Sequence, residues 1–344
     1  MMTTPDDVVR RLDERGLRAH RHPVIDEALY FEVESSKSVQ RFEKKIVVDK
    51  LTAESVLQGA HVYAPGVKRC QGLKLGDKVS IIDDQGQMVG AGIVRMSENS
   101  ILALRRGLAV EVTLPLFKVP SIREMPEYDQ GLVYAQSLPA ISTSRILDPQ
   151  PGDTIVDLTC SPGGKLSHVS ALTGGRARIF GFDRNETKIS LARETIRRLG
   201  CEGIALVVHD ARYLDVDFPG IVADRCLVDP PCSALGVKPK TYEYTSRAEI
   251  YALSRYQRQF LKCSSRLLRP GGVLVYSVCT MTLPECEENV KFAVDECGLE
   301  LERQNIVLGS AGLDTVLPQA IVTQRFHPHI HDSGYFVAKF TKKR

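Results

Sequence analysis

Two cysteines have the type and placement for covalent chemistry. Cys232 stands in Asp229-Pro230-Pro231-Cys232-Ser233, and Cys279 in Tyr276-Ser277-Val278-Cys279-Thr280. Each follows an apolar run that reads as a strand, 223–228 and 273–277. Each thiol therefore falls at a strand's carboxyl end, where open α/β sheets build ligand sites. One thiol there suggests a nucleophile. Two, beside a glycine-rich loop, suggest chemistry that both makes and breaks a bond to sulfur. Pro230 and Pro231 remove backbone donors and stiffen the turn, so Asp229 and Cys232 can be held toward a flat ligand. The alternative for Cys232 is a buried small apolar side chain. Cys70, Cys160, Cys201, Cys226, Cys263, Cys286 and Cys297 lie within elements or loops and read that way.

The glycine-rich loop is Asp157-Leu158-Thr159-Cys160-Ser161-Pro162-Gly163-Gly164-Lys165. Its two glycines between strand and helix let backbone come close to a ligand, and the helix start offers free N–H groups. It has neither the GxGxxG nor the GxxxxGK[ST] spacing. A plain connection would look much the same. The next strand ends at Asp183, followed by Arg184. An acid there can accept both hydroxyls of a ribose or cap the following helix. The third strand ends at Asp210. Three acids at successive strand ends, with no Lys/Arg cluster at the loop, suit a ligand with a ribose and an amine-bearing base but no phosphate train. S-adenosylmethionine fits that description.

The elements that must position these groups fall into two patterns. From 61 to 112, short apolar stretches cut by glycines read as the strands of a small barrel, at 79–83, 89–95, 101–104 and 109–112, with turns at Gln85-Gly86 and Asn99-Ser100. A strand at 46–48 and a helix from Thr52 to Gly59 precede them, and a helix at 5–18 opens the chain. From about 130, strands alternate with longer helical patterns: strands at 154–158, 178–182, 204–208, 223–228 and 273–277, and helices at 165–172, 186–199, 250–268 and 284–297. That rhythm predicts an α/β, mostly parallel, doubly wound sheet. The last run, 335–340, reads as an antiparallel edge strand. The expected divisions are an N-terminal segment 1–43 packing on the catalytic region, a barrel 44–115, a linker and start of the catalytic domain 116–150, and the catalytic domain 151–344.

The 344 residues are 43% hydrophobic and 25% charged, ordinary for a globular protein of two or three domains. No apolar run approaches the roughly 20 residues of a membrane helix, and the first 21 residues lack a secretory h-region. A membrane partner is therefore not expected. Nine cysteines without CxxC spacing argue against a disulfide framework or a zinc ribbon, and for a reducing cytoplasm. The net charge of +3 says little about nucleic acid. Arg10, Arg11, Arg15, Arg18, His20 and Arg21 cluster at one end, and Lys339, Lys342, Lys343 and Arg344 at the other. Each cluster reads equally as solvated surface.

Taken together, the 157–165 loop, Asp229-Pro-Pro-Cys-Ser233, and Tyr276-Ser-Val-Cys-Thr280 with Pro284-Glu285…Glu288-Asn289 resemble the Nop/Sun family of RNA cytosine-5 methyltransferases. The resemblance covers about residues 120–344, including the tail Arg325-Phe-His-Pro-His-Ile-His331-Asp-Ser-Gly-Tyr-Phe-Val-Ala-Lys-Phe340. That tail match disfavours a metal site at His327, His329 and His331, and no metal is expected. One departure is Thr159-Cys160-Ser161, where the family has Cys-Ala-Ala. The run Val56-Leu-Gln-Gly-Ala-His-Val-Tyr-Ala-Pro-Gly-Val67 resembles the PUA module, a small RNA-binding barrel.

What the resemblance implies is a class I, Rossmann-like methyltransferase fold with S-adenosylmethionine held by Thr159, Cys160, Ser161, Pro162, Gly163, Gly164, Lys165, Asp183, Arg184, Asp210 and Asp229. It implies Cys279 as the nucleophile on cytosine C6, Cys232 as the aid to release, Asp229 on the base's N3/N4 edge, and Lys165 positioning the base. The PUA-bearing subfamily implies cytosine 72 of the tRNA acceptor stem, with the CCA end on the PUA domain. A monomer is expected, although no pattern in the sequence sets the oligomeric state. An RNA-binding protein that has lost turnover would keep the fold but not these side chains. A thiol-dependent dehydrogenase would need a dinucleotide fingerprint that is absent.

Overall fold

The computed structural model describes residues 3–35, 39–331 and 333–344, and the chain divides into two compact units. One holds the described residues up to Ser121 together with Lys238–Tyr244; the other holds Ile122–Val237 and Thr245–Arg344.

In the first unit, a six-stranded sheet orders Val62–Tyr63, Leu108–Pro115, Met88–Val94, Lys78–Ile82, Lys45–Val48 and Val67–Cys70. It surrounds one core in which Ile46, Val56, Val79, Val94, Ile101 and Val110 are fully buried. The helix Lys50–Leu57 starts two residues before Thr52, because Asp49 caps it by accepting from Thr52 N–H at 2.8 Å. The expected strand at 101–104 and turn at Asn99-Ser100 are instead one helix, Glu98–Leu104. Ser97 caps that helix, and its single buried residue is Ile101, while Leu102 and Leu104 face solvent. One apolar anchor per two turns leaves no period for sequence reading to find. The N-terminal helix Pro5–Glu14 carries a Thr4/Asp7 capping box. It and the hairpin Ala19–Arg21/Leu29–Phe31 group with this sheet in the first unit.

In the second unit, five parallel strands order 204–208, 178–183, 154–157, 223–228 and 268–278. The strand order reverses between Thr154–Asp157 and Ala223–Val228, which places the ligand crevice outside their carboxyl ends. Helices Gly164–Leu172, Glu186–Arg198 and Arg247–Leu267 form the crossovers. The Arg247–Leu267 helix starts at a Ser246/Glu249 capping box and buries Phe260, Leu261 and Leu267 against the sheet. The final helix begins at Glu287 rather than 284. Within 116–150, Leu138–Leu147 is a helix whose Ile146 and Leu147 are fully buried.

The strand Tyr335–Lys342 is not at an edge. It pairs antiparallel with Leu268–Val278, Gln324–Phe326 and Leu299–Glu302. An interior place explains why Phe336, Val337, Ala338 and Phe340 are all buried, against the half-solvated alternation expected of an edge. Among the described residues no helix is long and apolar enough to cross a membrane.

Candidate active site

The sheet brings Asp157, Asp183, Asp210, Asp229 and Cys279 to one side, each at the end of a strand, as the alternation predicts. Asp229 is the most constrained of them. Its backbone N–H donates to Thr159 Oγ1 at 3.0 Å, tying the two strand ends that flank the crevice. Its Oδ1 accepts from Ser277 Oγ at 2.9 Å and from Tyr335 Oη at 3.0 Å, and its Oδ2 accepts from Lys165 Nζ. Burial acts to lower Lys165, but Asp229 and Tyr335 outweigh it and hold the ammonium well above the usual lysine range. Tyr335 reaches this point by register. One step beyond the Val278–Phe336 pair, it comes level with Cys279.

The two thiols meet: Cys232 Sγ lies 3.2 Å from Cys279 Sγ. The bond from Cys232 is the main reason Cys279 lies below the ordinary thiol range, with Lys165 adding to it while burial and Asp229 oppose. The same bond, with burial, pushes Cys232 up. Of the two, Cys279 is the thiol held lower, which favours it as the thiolate. The two loops are laced together elsewhere. Gly236 N–H donates to Cys279 O at 3.0 Å, and Gly334 N–H to Gly236 O at 2.8 Å. A Cβ on Gly236 would stand 2.1 Å from Gly334 O, so only glycine fits.

The crevice has two lobes sharing Thr159, Ser161 and Asp229. The larger, about 270 Å³, is lined by Asp183, Arg184, Asp210, Tyr256, Cys232 and Cys279 among others. The smaller, about 160 Å³, is lined by Cys160, Pro162, Gly164, Lys165 and also Tyr134 and Gln136. Asn185, not Asp183, caps the Glu186–Arg198 helix, accepting from Lys188 N–H at 3.2 Å. Asp183 Oδ1 accepts from Asn185 N–H at 3.1 Å and Oδ2 lies 3.7 Å from Lys188 Nζ, with the side chain on the wall of the larger lobe. Asp210 is already bound to Arg212 Nε at 2.9 Å, which holds its carboxyl below the usual range. Arg184 is exposed, its guanidinium 5.9 Å from the Tyr256 ring centre.

The loop glycines serve packing as well as access. Gly163 has φ +100°, and a Cβ on Gly164 would stand 2.4 Å from the Tyr134 ring. The Gly164–Leu172 helix has no side-chain cap, so its first turn keeps donors open at the smaller lobe. A ribose acceptor at Asp183 and open amides at a helix start fit a nucleoside bearing an amino-acid chain. Below them, burial pushes Asp157 up to about 7, although Thr159 N–H and Lys165 pull the other way.

Sequence reasoning missed Tyr335, Ser277, Thr159 as a side-chain acceptor for Asp229, and Tyr134. Ser277 flanked a flagged cysteine, and Thr159 lay in a flagged loop; Tyr134 and Tyr335 carried no local signal. His327, His329 and His331 stand ring to ring, with centres 5.7 and 6.1 Å from His327. Among the described residues no group of three or more His, Cys, Asp or Glu is arranged for a metal ion.

The chain is similar to known proteins. The family model described as 16S rRNA methyltransferase RsmB/F matches residues 144–341, and the PUA domain model matches residues 44–115. The chain is 43% identical over 342 residues to the tRNA (cytosine(72)-C(5))-methyltransferase of Pyrococcus horikoshii, spanning 98% of this chain and 86% of that one. It is 30% identical over 341 residues to the human tRNA (cytosine(72)-C(5))-methyltransferase NSUN6, spanning 90% and 72%. Among solved structures, the crystal structure of NSun6 from Pyrococcus horikoshii with SFG superposes with a TM-score of 0.93 at 41% identity, covering 99% of this chain and 88% of that one.

Proposed function

The chain belongs to the RsmB/F methyltransferase family and carries a PUA domain, and from that premise we propose that it methylates cytosine 72 of tRNA through a covalent adduct on Cys279. It is an S-adenosylmethionine-dependent tRNA cytosine-C5 methyltransferase; the target base and the covalent route are the finer reading. The observation that carries that reading is the sulfur pair, 3.2 Å apart, beside an Asp229 carboxylate fixed by Lys165, Ser277 and Tyr335.

Cytosine C5 is a weak nucleophile. The Cys279 thiolate adds to C6, and the ring's C5=C6 electron pair becomes available at C5. Asp229 accepts from the base's amino edge and keeps its proton inventory, while Lys165 neutralises Asp229 and steadies the base. S-adenosylmethionine, when bound, would supply an electrophilic methyl group whose departing sulfur keeps the S–C electron pair, and Asp183, Asp210 and the 159–165 backbone would hold it. After alkylation C5 carries both methyl and hydrogen. Cys232 assists removal of that proton; the C5–H pair re-forms C5=C6, and Cys279 leaves with the C6–S pair. The base must leave its stack at a cost of a few kcal/mol, less at a fraying stem end. The PUA domain holds the CCA end, and the chain acts as a monomer. Its nine free thiols suit the cytoplasm.

The test is bisulfite sequencing of tRNA after incubation with protein and S-adenosylmethionine, using intact and CCA-trimmed RNA. Protection at position 72, lost on trimming, is expected. Cys279→Ala should abolish it, and Cys232→Ala should leave a slow-migrating RNA–protein band under denaturing conditions. Full activity of Cys279→Ala would sink the covalent route, and protection elsewhere would sink the choice of base.

A further inference from the structure

Glu285 lies outside the chemistry described above, yet it is fully buried. A buried carboxylate is costly unless every lone pair is used. Here four donors meet it. Oε1 accepts from Ser233 N–H and from Gln257 Nε2, both at 2.9 Å. Oε2 accepts from Ser233 Oγ at 2.6 Å and from Thr282 Oγ1 at 2.8 Å.

The direction of one further bond follows. Ser233 Oγ also lies 2.8 Å from Thr280 Oγ1. A hydroxyl has one hydrogen, and that of Ser233 is committed to Glu285. Thr280 must therefore donate to Ser233. Ser233 is the residue after Cys232, and Thr280 the residue after Cys279. The carboxylate thus grips the immediate neighbour of one sulfur directly and the neighbour of the other through a single hydroxyl.

The grip is itself anchored. Gln257, on the Arg247–Leu267 helix, also donates from Nε2 to Pro231 O at 3.0 Å. Its Oε1 receives Asn289 Nδ2 at 2.8 Å, and Tyr276 Oη lies 2.6 Å from Glu285 O. Helix, proline turn and both cysteine loops are thereby joined at one charged point. Charge-assisted bonds are about twice as strong as neutral ones, so the junction is stiff.

We propose that Glu285 is a positioning residue that sets the spacing of Cys232 and Cys279, and so governs how fast the product leaves Cys279. The inference rests on the roles given to the two cysteines above. Attack needs only Cys279 and the base. Release also needs Cys232 in register with C5. Slackening the grip should therefore slow release more than attack.

The experiment uses the full chain with Glu285→Gln, Glu285→Asp and Ser233→Ala, beside Cys232→Ala and Cys279→Ala. Glu285→Gln turns one acceptor oxygen into a donor facing donors. Single-turnover methyl incorporation, released product and the denaturing-gel adduct are followed together, with a thermal melt for folding. Glu285→Gln is expected to keep a burst of methyl transfer while release falls on the order of tenfold to a hundredfold, so the adduct accumulates. Glu285→Asp should recover part of the release rate. Ser233→Ala should show the same bias more weakly, and it keeps the idea testable if Glu285→Gln does not fold. Equal loss of burst and release, or no change in either, would overturn the proposal. If Cys279→Ala still forms the adduct, the cysteine roles themselves fail, whatever Glu285 does.

Discussion

Arg325 and Glu287 form a buried ion pair whose removal has a calculable cost. Arg325 is 4% exposed and Glu287 fully buried. Arg325 Nε donates to Glu287 Oε1 at 2.6 Å, a second guanidinium nitrogen pairs with Oε2, and Nη1 donates to Met281 O at 2.9 Å. Arg325→Met would leave a buried carboxylate with one remaining donor, Leu313 N–H at 3.0 Å. Breaking such a pair from one side costs about 3–5 kcal/mol, and the lost donor to Met281 O about 1 kcal/mol more. At about 2–4 °C per kcal/mol for a domain of this size, the melting temperature should fall by roughly 10–20 °C. Arg325→Met with Glu287→Leu removes both charges. Only the unpaired Met281 O and Leu313 N–H remain, about 2 kcal/mol, so the double variant should melt well above the single. Scanning calorimetry on the full chain reads both. If the two melt within about 2 °C of each other, the pair is not behaving as a buried charge and the reasoning fails. Met281 lies two residues beyond Cys279, so the single variant should also lose turnover where it still folds.

Asp157 offers a pH test. Its folded-state value near 7 lies above the ordinary 3.8. The folded state therefore holds a proton that the unfolded state gives up between those values, so stability falls by a few kcal/mol as pH rises from about 4 to 7. Asp157→Asn keeps an acceptor for Thr159 N–H and should flatten that slope in urea titrations; an unchanged slope would assign it elsewhere. Tyr335→Phe removes one donor from the Asp229 carboxylate, worth about 1.5–3 kcal/mol, so single-turnover methylation should fall roughly tenfold to a hundredfold with tRNA affinity unchanged in a filter-binding assay. Cys279 lies below ordinary thiols partly through Lys165. Its alkylation by iodoacetamide should accordingly set in at lower pH than for a free cysteine, and Lys165→Met should move that onset upward; a downward move would contradict the assigned cause.

The residues at strand ends were legible because the alternation of strand and helix fixes which end faces the crevice. Asp157, Asp183, Asp210, Asp229 and Cys279 needed nothing more than that rhythm. The partners of Asp229 were not legible, because Lys165, Ser277 and Tyr335 come from sequence positions up to 106 residues away and meet only through sheet pairing. Tyr335–Lys342 reads as an edge for a related reason: its interior place comes from pairing with three segments earlier in the chain, which its own alternation does not reveal. Residues 98–104 fail differently. With Ile101 as the sole buried side chain, capping by Ser97 decides the helix, and four residues of apolar composition outweighed that cap in the reading. Glu285 sat within a recognised stretch, yet nothing local tells a buried acceptor of four bonds from a surface glutamate.

The chain passes between its two units after Ser121, Val237 and Tyr244. The returning stretch is bonded into the N-terminal unit: Tyr242 Oη to Asp84 Oδ1 at 2.6 Å, Thr241 N–H to Glu54 Oε1 at 3.2 Å, and Gln87 Nε2 to Thr241 O at 3.3 Å. During synthesis, the first 121 residues leave the ribosome without those partners and acquire them only after more than a hundred further residues have been added. At about 5–20 residues per second, that is a wait of several seconds with Asp84 and Glu54 lacking these bonds and held by Lys68 and Lys50. The N-terminal unit is thus assembled from two separate stretches of chain. A fragment ending at Ser121 would carry the sheet but lack the stretch that completes it, and a graft into another enzyme would have to bring Lys238–Tyr244 along. Loss of the first 121 residues as one contiguous piece would leave Thr241 and Tyr242 without these three bonds.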